Sequence, residues 1–220
     1  MLTPLKREKF DQLIPIVPTS DQYQIYWGDA NDFFRRLLIS VALLVTFALL
    51  YGRVTSDNHS NNIWGLFLFI CAALGGLYWM LAPVFQASLR NQQLRQYTYG
   101  AIWVAEVYDS YLSQEISQKK ANFDRRGKIS VDYDTDSFLN LELVDQTGLS
   151  TNLKMPMRRE YKRIRPGDLA CLLLVSNDPG FNRLSKLTSD AYFPQAGLWA
   201  GNYPYLRKDL FEQLIRYILR

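Results

Sequence analysis

Two long apolar runs near the N-terminal end most constrain how this chain of 220 residues folds. They occupy residues 37–52 (LLISVALLVTFALLYG) and 63–85 (IWGLFLFICAALGGLYWMLAPVF), and neither contains a charged residue. At about 1.5 Å per helical residue they extend roughly 24 Å and roughly 34 Å, against about 30 Å of hydrocarbon in a bilayer. Phe33 and Phe34 lengthen the shorter run. The sequence therefore predicts a hairpin of two transmembrane helices over residues 35–85.

Aromatic residues mark both ends of the predicted hairpin. Tyr51 and Trp64 flank the connection between the two runs, and Tyr78 and Trp79 lie near the far end of the second run. Tyrosine and tryptophan concentrate at the two membrane–water interfaces. The alternative, two buried helices of a soluble core, needs no such belts, so the pattern favours a membrane.

Basic residues determine the predicted orientation. The connection between the runs holds only Arg53, whereas the flanks of the hairpin carry Lys6, Arg7, Lys9, Arg35, Arg36, Arg90 and Arg95. Loops rich in lysine and arginine stay on the cytoplasmic side of a membrane. Both termini are therefore predicted to be cytoplasmic, or stromal in a plastid, with the hairpin in a plasma or thylakoid membrane.

The rest of the chain divides around the predicted hairpin. Residues 1–34 are predicted to form a polar arm, whose early part is either a short amphipathic helix on the membrane or a solvated extension. Residues 86–96 form a helical connector, and residues 97–220 form a soluble domain.

Alternating apolar residues predict short strands in the soluble domain. The segments AIWVAEVY (101–108) and FLNLELV (138–144) alternate, and residues 170–175 form a continuous apolar run suited to a buried strand. The final LRKDLFEQLIRYILR places its apolar residues on one helical face. The predicted fold class is thus a membrane α-hairpin plus an α+β soluble domain, a small β-barrel or sandwich with a C-terminal helix. A pleckstrin-homology-like barrel suits this order, and an SH3-like or OB-like barrel stays open.

The sequence contains no recognisable catalytic constellation. The single histidine, His59, falls in the predicted outer loop, and no phosphate loop, dinucleotide fingerprint or nucleophile elbow occurs. Cys71 and Cys171 lie in separate apolar runs, as small hydrophobic residues do. The sequence therefore predicts a protein that is not an enzyme and that has no cofactor.

Asp132, Asp134 and Asp136 alternate along the sequence, as the first ligands of a calcium-binding loop do. Such a loop needs a glycine at its sixth position and a bidentate glutamate at its twelfth. Ser137 and Leu143 occupy those positions here. The spacing instead fits the solvent-facing side of a strand, so no metal site is predicted.

A cluster of basic residues is the strongest candidate for a binding surface, and it comprises Lys154, Arg158, Arg159, Lys162, Arg163 and Arg165. A second basic group precedes it, at Lys119, Lys120, Arg125, Arg126 and Lys128. Anionic lipids attract each such side chain by about 1 kcal/mol near a membrane. A merely solvated face is the alternative. Nucleic acid is not expected as a partner, because the net charge is only +4 and no binding motif is present.

An aromatic segment, SDAYFPQAGLWAGNYPYLRKD (189–209), is a further candidate surface. Aromatic residues supply rigid contact area at protein interfaces, and they are also common in cores. Trp199 and Tyr205 are predicted to contact a partner, with core packing as the alternative.

The segments REKFDQLIPIV (7–17), QYQIYWGDANDFFRRLLIS (22–40) and SDAYFPQAGLWAGNYPYLRKDLFEQL (189–214) resemble those of uncharacterised two-span membrane proteins of cyanobacteria, some of them labelled phosphate transporter permeases. The layout is also similar to that of the plastid photosystem I assembly factor with a two-helix hairpin and a stromal domain. These resemblances imply a photosynthetic membrane and no catalytic residues.

The expected function is that of a non-enzymatic, membrane-anchored accessory or assembly factor. Its partners would be membrane lipids and a larger membrane complex, which the resemblance implies is photosynthetic. An anionic-lipid-binding or regulatory module, and an accessory subunit of a transporter, are the alternatives.

Overall fold

The chain folds into two compact units. The sheet unit comprises Met1–Pro15 and Leu94–Arg220, and the helical unit comprises Ile16–Gln93. The computed structural model describes residues 1–56, 63–123, 129–181 and 186–219, with the backbone alone at 56, 117–123 and 129–134. The predictions made at His59, at Asp132 and Asp134, and at the second basic group therefore lie outside the described side chains.

The sheet unit is built on an eight-stranded antiparallel sheet. Its strands are β1 (Leu2–Leu5), β2 (Tyr99–Phe123), β3 (Ile129–Val144), β4 (Ser150–Pro156), β5 (Leu169–Ser176), β6 (Lys186–Leu187), β7 (Asp190–Phe193) and β8 (Leu198–Gly201). The hydrogen-bonded order is β4-β3-β2-β5-β7-β8, with β1 paired to β2 and β6 paired to β5. The long strand β2 organises the sheet, because β1, β3 and β5 all pair with it.

The hydrophobic core lies on one face of the sheet, where alternate residues of neighbouring strands meet. Its larger members are Trp103, Val107, Leu139, Leu141, Leu143, Met155, Leu172, Leu174 and Phe193. Tyr161 and Ile164, from the connection between β4 and β5, also belong to this core. That connection is therefore fixed to the sheet by apolar packing.

Two helices, α1 (Arg7–Leu13) and α6 (Lys208–Ile218), pack on the other face of the sheet. Phe10 of α1 lies on Gly100 of β2, and Phe211 of α6 lies on Trp199 of β8 with ring centroids 5.3 Å apart. Helix α6 is the predicted C-terminal helix, and it buries Phe211 and Ile215. Because both faces are covered, β5 is buried along almost its whole length.

The prediction of a small β-barrel or sandwich is wrong, because the sheet is open. Its end strands, β4 and β8, form no backbone ladder with each other among the described residues. The sheet nevertheless curls enough for the Asn202 side chain, just after β8, to donate a 2.6 Å hydrogen bond to the Lys154 carbonyl oxygen of β4. Alternation reports only which side chains face inward, and that pattern is the same in a curled open sheet and in a closed barrel.

The N-terminal residues are part of the sheet unit rather than a polar arm. β1 pairs with β2 in a register that runs from Leu2↔Trp103 to Leu5↔Gly100. The apolar side of the predicted surface helix consists of Leu5, Phe10, Leu13 and Ile14, of which the last three are buried and Leu5, in β1, is half-buried. The apolar side of α1 therefore packs on protein and not on a membrane.

The helical unit contains α2 (Ser20–Trp27), α3 (Ala30–Ser56), α4 (Ile63–Gly76) and most of α5 (Tyr78–Arg95). Helices α3 and α4 approach closely because glycines line their contact: a Cβ at Gly75 would lie 2.9 Å from the Leu43 Cβ. The Ser40 hydroxyl of α3 donates a 2.8 Å hydrogen bond to the Gly75 carbonyl oxygen. A buried amide pair, Gln22 with Asn91, joins α2 to α5.

The prediction of two transmembrane helices in a hairpin is also wrong. The second apolar run breaks at Leu77, where α4 and α5 meet at 81°. Within the described residues, α3 alone is long and apolar enough to cross a membrane, and α4 and α5 satisfy the same criteria only when counted together as a bent pair. Gly75 and Gly76 come directly before the break, and adjacent glycines weaken a helix.

Candidate functional site

The basic cluster lies between β4 and β5, on a 3₁₀ helix (Arg159–Arg163) and the residues beside it. Five side chains of the cluster are exposed, and we name them the basic loop: Arg158, Arg159, Lys162, Arg163 and Arg165. Tyr161 and Ile164 alternate with them and are buried in the core. The sequence therefore predicted this surface, but not the two buried side chains that attach it to the sheet.

Lys154, the sixth member of the predicted cluster, forms its contacts with β2 and β3 rather than with the basic loop. Its ammonium group forms an ion pair with Glu115 of β2 and lies 4.7 Å from the centre of the Phe138 ring. These contacts fix its charge on the polar face of the β2–β3–β4 region. Lys154 is therefore not part of the basic loop.

The basic loop has few opposing charges within the described part of the chain. The Glu160 carboxylate lies 3.9 Å from the Arg158 guanidinium, a loose ion pair between exposed side chains. The Asp168 carboxylate accepts a 2.8 Å hydrogen bond from the Arg165 backbone N–H. Arg159, Lys162 and Arg163 form no ion pair with any described residue. The loop thus presents a net positive surface.

Trp199 and Tyr205, the residues predicted for partner contact, pack inside the sheet unit. Trp199 is half-buried between the Tyr192 and Phe211 rings, and its indole N–H donates a 2.9 Å hydrogen bond to Glu212. Tyr205 is only 4% exposed. These contacts explain both residues by packing, and partner contact there stays a prediction.

Asp145 is a buried carboxylate that organises the turn between β3 and β4. It accepts hydrogen bonds from the Trp103 indole N–H at 3.0 Å, from the Thr147 and Leu149 backbone N–H groups at 2.8 and 3.1 Å, and from the Met1 amino group at 3.2 Å. Burial raises the pKa of the Asp145 carboxyl group, but the hydrogen bonds from the Thr147 hydroxyl and backbone N–H, the Trp103 indole and the Met1 amino group outweigh burial and hold the pKa well below its usual value. Asp145 has a structural role, because its oxygens are already occupied.

Asp190 is the second buried carboxylate, on β7, and it is 4% exposed. It accepts a 2.8 Å hydrogen bond from the Leu206 backbone N–H. Burial raises the pKa of Asp190 to about 7, and that hydrogen bond opposes the rise without cancelling it. Asp190 therefore makes the folding of the sheet unit sensitive to pH near neutrality.

We expect the free energy of unfolding to fall as the pH rises from about 4 to about 7. The folded state binds the Asp190 proton more tightly than the unfolded state does. The stabilisation from this proton is therefore fully present below the unfolded pKa, and it is lost as the pH rises through the folded pKa of about 7. The full loss is at most about 4 kcal/mol, since one pKa unit corresponds to 1.36 kcal/mol. Denaturation of the wild-type chain and of Asp190→Asn at pH 5 and pH 8 tests this. The variant should lose most of the pH dependence, and an equal dependence in both chains would contradict the assignment.

The described residues contain no cluster of three or more metal-ligating side chains. Burial raises the pKa of the Cys171 thiol to about 12, which makes it a poor nucleophile. An open cavity of about 550 Å³ adjoins the end of the basic loop at Pro166 and Gly167, and it is lined by Glu106 and Asp145. The Met1 amino group also lines the cavity but is paired with Asp145, so the lining offers no free cation to an anion, and the exposed side of the loop is the better candidate surface.

Apolar side chains cover the outside of α3 and α4. Leu38 of α3 is 72% exposed, and Trp64 and Leu66 of α4 are 70% and 63% exposed. An exposed apolar surface of this kind indicates contact with lipid or protein. The helical unit therefore has a second candidate surface, which we name the apolar helix surface.

Aromatic and basic side chains mark one end of α3. Trp27, Phe33 and Trp79 form a cluster with ring centroids 5.8–6.1 Å apart. The Arg36 guanidinium lies over the Trp27 ring and donates to the Tyr26 and Trp27 carbonyl oxygens. Such amphipathic side chains concentrate where hydrocarbon meets water.

Two arginines hold the ends of the sheet unit's two chain segments together, and we name this arrangement the arginine clamp. Arg7 of α1 donates to the Arg95 and Thr98 carbonyl oxygens, at 3.1 and 3.2 Å. Arg95 donates in return to the Asp11 and Ile14 carbonyl oxygens, at 2.8 and 2.7 Å. The clamp could not be predicted from the sequence, because only folding brings residues about 85 positions apart into contact.

The fold and these surfaces define a protein with an antiparallel-sheet unit and a helical unit that contains one helix able to cross a membrane. The chain belongs to a family of unknown function, DUF8619, whose family model matches residues 3–220. No curated protein and no solved structure matches the chain.

Proposed function

We propose that this chain is a membrane-anchored, non-enzymatic accessory protein of a larger membrane complex. The apolar helix surface carries this proposal, because side chains such as Leu38 and Leu66 face outward rather than into a core. Helix α3 crosses the bilayer in this proposal, and it keeps the sheet unit beside the membrane.

The dimensions of α3 support membrane insertion. Phe33, in the aromatic cluster, and Tyr51, whose ring centroid lies 6.3 Å from that of Phe69, are separated by about 27 Å along the helix. That distance is close to the roughly 30 Å of hydrocarbon in a bilayer. Each end of the apolar part of α3 thus has the aromatic residues that an interface favours.

The sheet unit is assembled from two separate segments of the chain. The chain leaves this unit after Pro15 and returns to it at Leu94. The β1–β2 ladder and the arginine clamp join the segments before and after that excursion into one folded body. The sheet unit is therefore one folded domain, although the helical unit interrupts its sequence.

The distribution of basic residues supports a cytoplasmic or stromal sheet unit. This unit contains the basic loop and the arginine clamp, whereas Arg53 is the only lysine or arginine from 37 to 89. The positive-inside tendency places the basic side in the cytoplasm or stroma. The resemblance to two-span proteins of cyanobacteria makes a photosynthetic complex the first partner to test.

Co-migration in native gels tests the accessory role. Membranes that contain a tagged full-length chain would be solubilised in a mild detergent, separated by native electrophoresis and probed for the tag, with mass spectrometry of the same band. We expect the tag in a band much larger than the 25.6 kDa chain, together with subunits of one membrane complex. Migration of the membrane-extracted chain near monomer size would contradict the accessory role.

A further inference from the structure

We propose that the basic loop of the sheet unit binds the anionic headgroups of the lipid bilayer in which α3 is anchored. This inference rests on the proposed membrane anchor and names a ligand for the sheet unit. The supporting observations are the rigidity of the loop, its uncompensated charge and the position of its cations along the 3₁₀ helix.

The loop is held in place before any ligand binds. Tyr161 and Ile164 are buried in the core, and the Ile164 backbone N–H donates a 3.1 Å hydrogen bond to the Tyr161 carbonyl oxygen. Side chains three residues apart eclipse one another on a 3₁₀ helix. Tyr161 and Ile164 therefore share the buried row, whereas Arg159 and Lys162 share an exposed row.

The exposed cations are available to a phosphate group. Arg159, Lys162 and Arg163 form no ion pair with any described residue, and Arg158 has only the loose pair with Glu160. A guanidinium binds phosphate through two parallel N–H donors, and an ammonium acts as a point charge. The basic loop holds several such groups in fixed positions. It is therefore better suited to a surface that carries many phosphates than to one small anion.

A lipid surface is the ligand that the anchor brings close. Clusters of basic residues beside a membrane segment are drawn to anionic leaflets, and each basic side chain contributes roughly a fivefold preference. Nucleic acid is a poorer candidate, because the whole chain carries a net charge of only +4.

The experiment measures how close the loop lies to lipid headgroups in the full-length chain. An environment-sensitive dye is attached at Pro166→Cys in a chain whose Cys71 and Cys171 are replaced by alanine. The chain is reconstituted into nanodiscs of phosphatidylcholine, or of phosphatidylcholine with phosphatidylglycerol, that contain a headgroup-spin-labelled lipid as quencher. Reversal of two loop charges, Arg159→Glu with Lys162→Glu, is compared with reversal of two exposed charges on α6, Lys208→Glu with Arg216→Glu.

We expect stronger quenching in anionic discs than in zwitterionic discs, and weaker quenching at high salt. The loop reversal should lower the ratio of quenched to unquenched chain at least tenfold. The α6 reversal should leave the ratio within about twofold of the parent.

Three results would overturn the inference: equal quenching in both kinds of disc, no effect of the loop reversal, or an equal effect of the α6 reversal. A dye response to inorganic phosphate alone in zwitterionic discs would also overturn it, in favour of a small-anion site. Failure of the chain to elute with the discs is seen earlier, by chromatography, and would overturn the membrane anchor and this inference together.

Discussion

A chain with Val41→Arg and Val45→Arg is expected to lose its membrane association, with more than tenfold less protein in the carbonate-resistant membrane pellet. Both positions lie in the middle of α3, and the two side chains are 53% and 46% exposed. Arginine at the centre of a transmembrane helix costs about 2.5 to 3.5 kcal/mol on insertion scales. Because these side chains face outward, the substitution acts on contact with lipid rather than on the contact between α3 and α4.

Two matched variants control for this change. Val41→Leu with Val45→Leu keeps the positions apolar, and Gln24→Arg with Gln92→Arg adds the same charge at exposed polar positions. Both controls should remain in the pellet. If the α3 arginine variant also remained there in the wild-type amount, α3 would not be in the membrane. If α3 lay outside the membrane, arginine at these exposed positions would not change the amount of chain in the pellet.

Gly100→Ala is expected to lower the free energy of unfolding of the sheet unit by about 3 kcal/mol, because it expels Phe10 from its site. A Cβ at position 100 would lie 2.3 Å from Cδ2 and 2.9 Å from Cε2 of the Phe10 ring, which is fully buried. Leu5 of β1 pairs with Gly100 of β2, so moving the backbone away from Phe10 would break hydrogen bonds of the β1–β2 ladder. Denaturant titration of the detergent-solubilised chain, followed by tryptophan fluorescence, measures the change.

A companion substitution distinguishes this clash from a general effect of alanine. Phe10→Leu with Gly100→Ala should be more stable than the sum of the two single changes predicts, because the smaller side chain makes room. Gly52→Ala is the control, since nothing lies within 4 Å of a Cβ there. Strict additivity of the pair, or an unchanged stability of Gly100→Ala, would contradict the packing of α1 on the sheet.

The sequence predicted helices in both apolar runs and the strands β2, β3 and β5, because these patterns are local. It did not predict β1, since four residues that include Pro4 are too short for a periodic signal. Among the described strands β1 pairs with β2 alone, an edge position where proline is tolerated. The docking of the N-terminal residues depends on Phe10 meeting Gly100, a contact between distant parts of the chain.

The break between α4 and α5 shows a second limit of sequence patterns. By hydropathy, Gly75 and Gly76 are compatible with an apolar helix. Residues 63–85 are therefore predicted to form one span. In the structure the Ser40 hydroxyl lies within hydrogen-bond distance of both glycine carbonyl oxygens, and the chain bends just after them. Ser40 lies in the other apolar run, so no window over the second run alone contains this information.

The candidate site was predictable in part. Consecutive basic residues show directly in the sequence, whereas the separation of Lys154 from the basic loop does not. It depends on Glu115 and Phe138, which β2 and β3 bring beside Lys154. The arginine clamp was invisible for the same reason, since its donors and acceptors lie in segments separated by the whole helical unit.

The most direct test of a membrane-spanning α3 asks on which side of the membrane its two ends lie. Single cysteines at Gln24→Cys and Thr55→Cys, in a chain without Cys71 and Cys171, would be labelled with an impermeant thiol reagent in sealed vesicles of known orientation. Both positions are exposed. We predict that Gln24→Cys reacts from the cytoplasmic or stromal side, and that Thr55→Cys reacts only from the opposite side. Reaction of both cysteines from the same side would contradict an α3 that crosses the membrane.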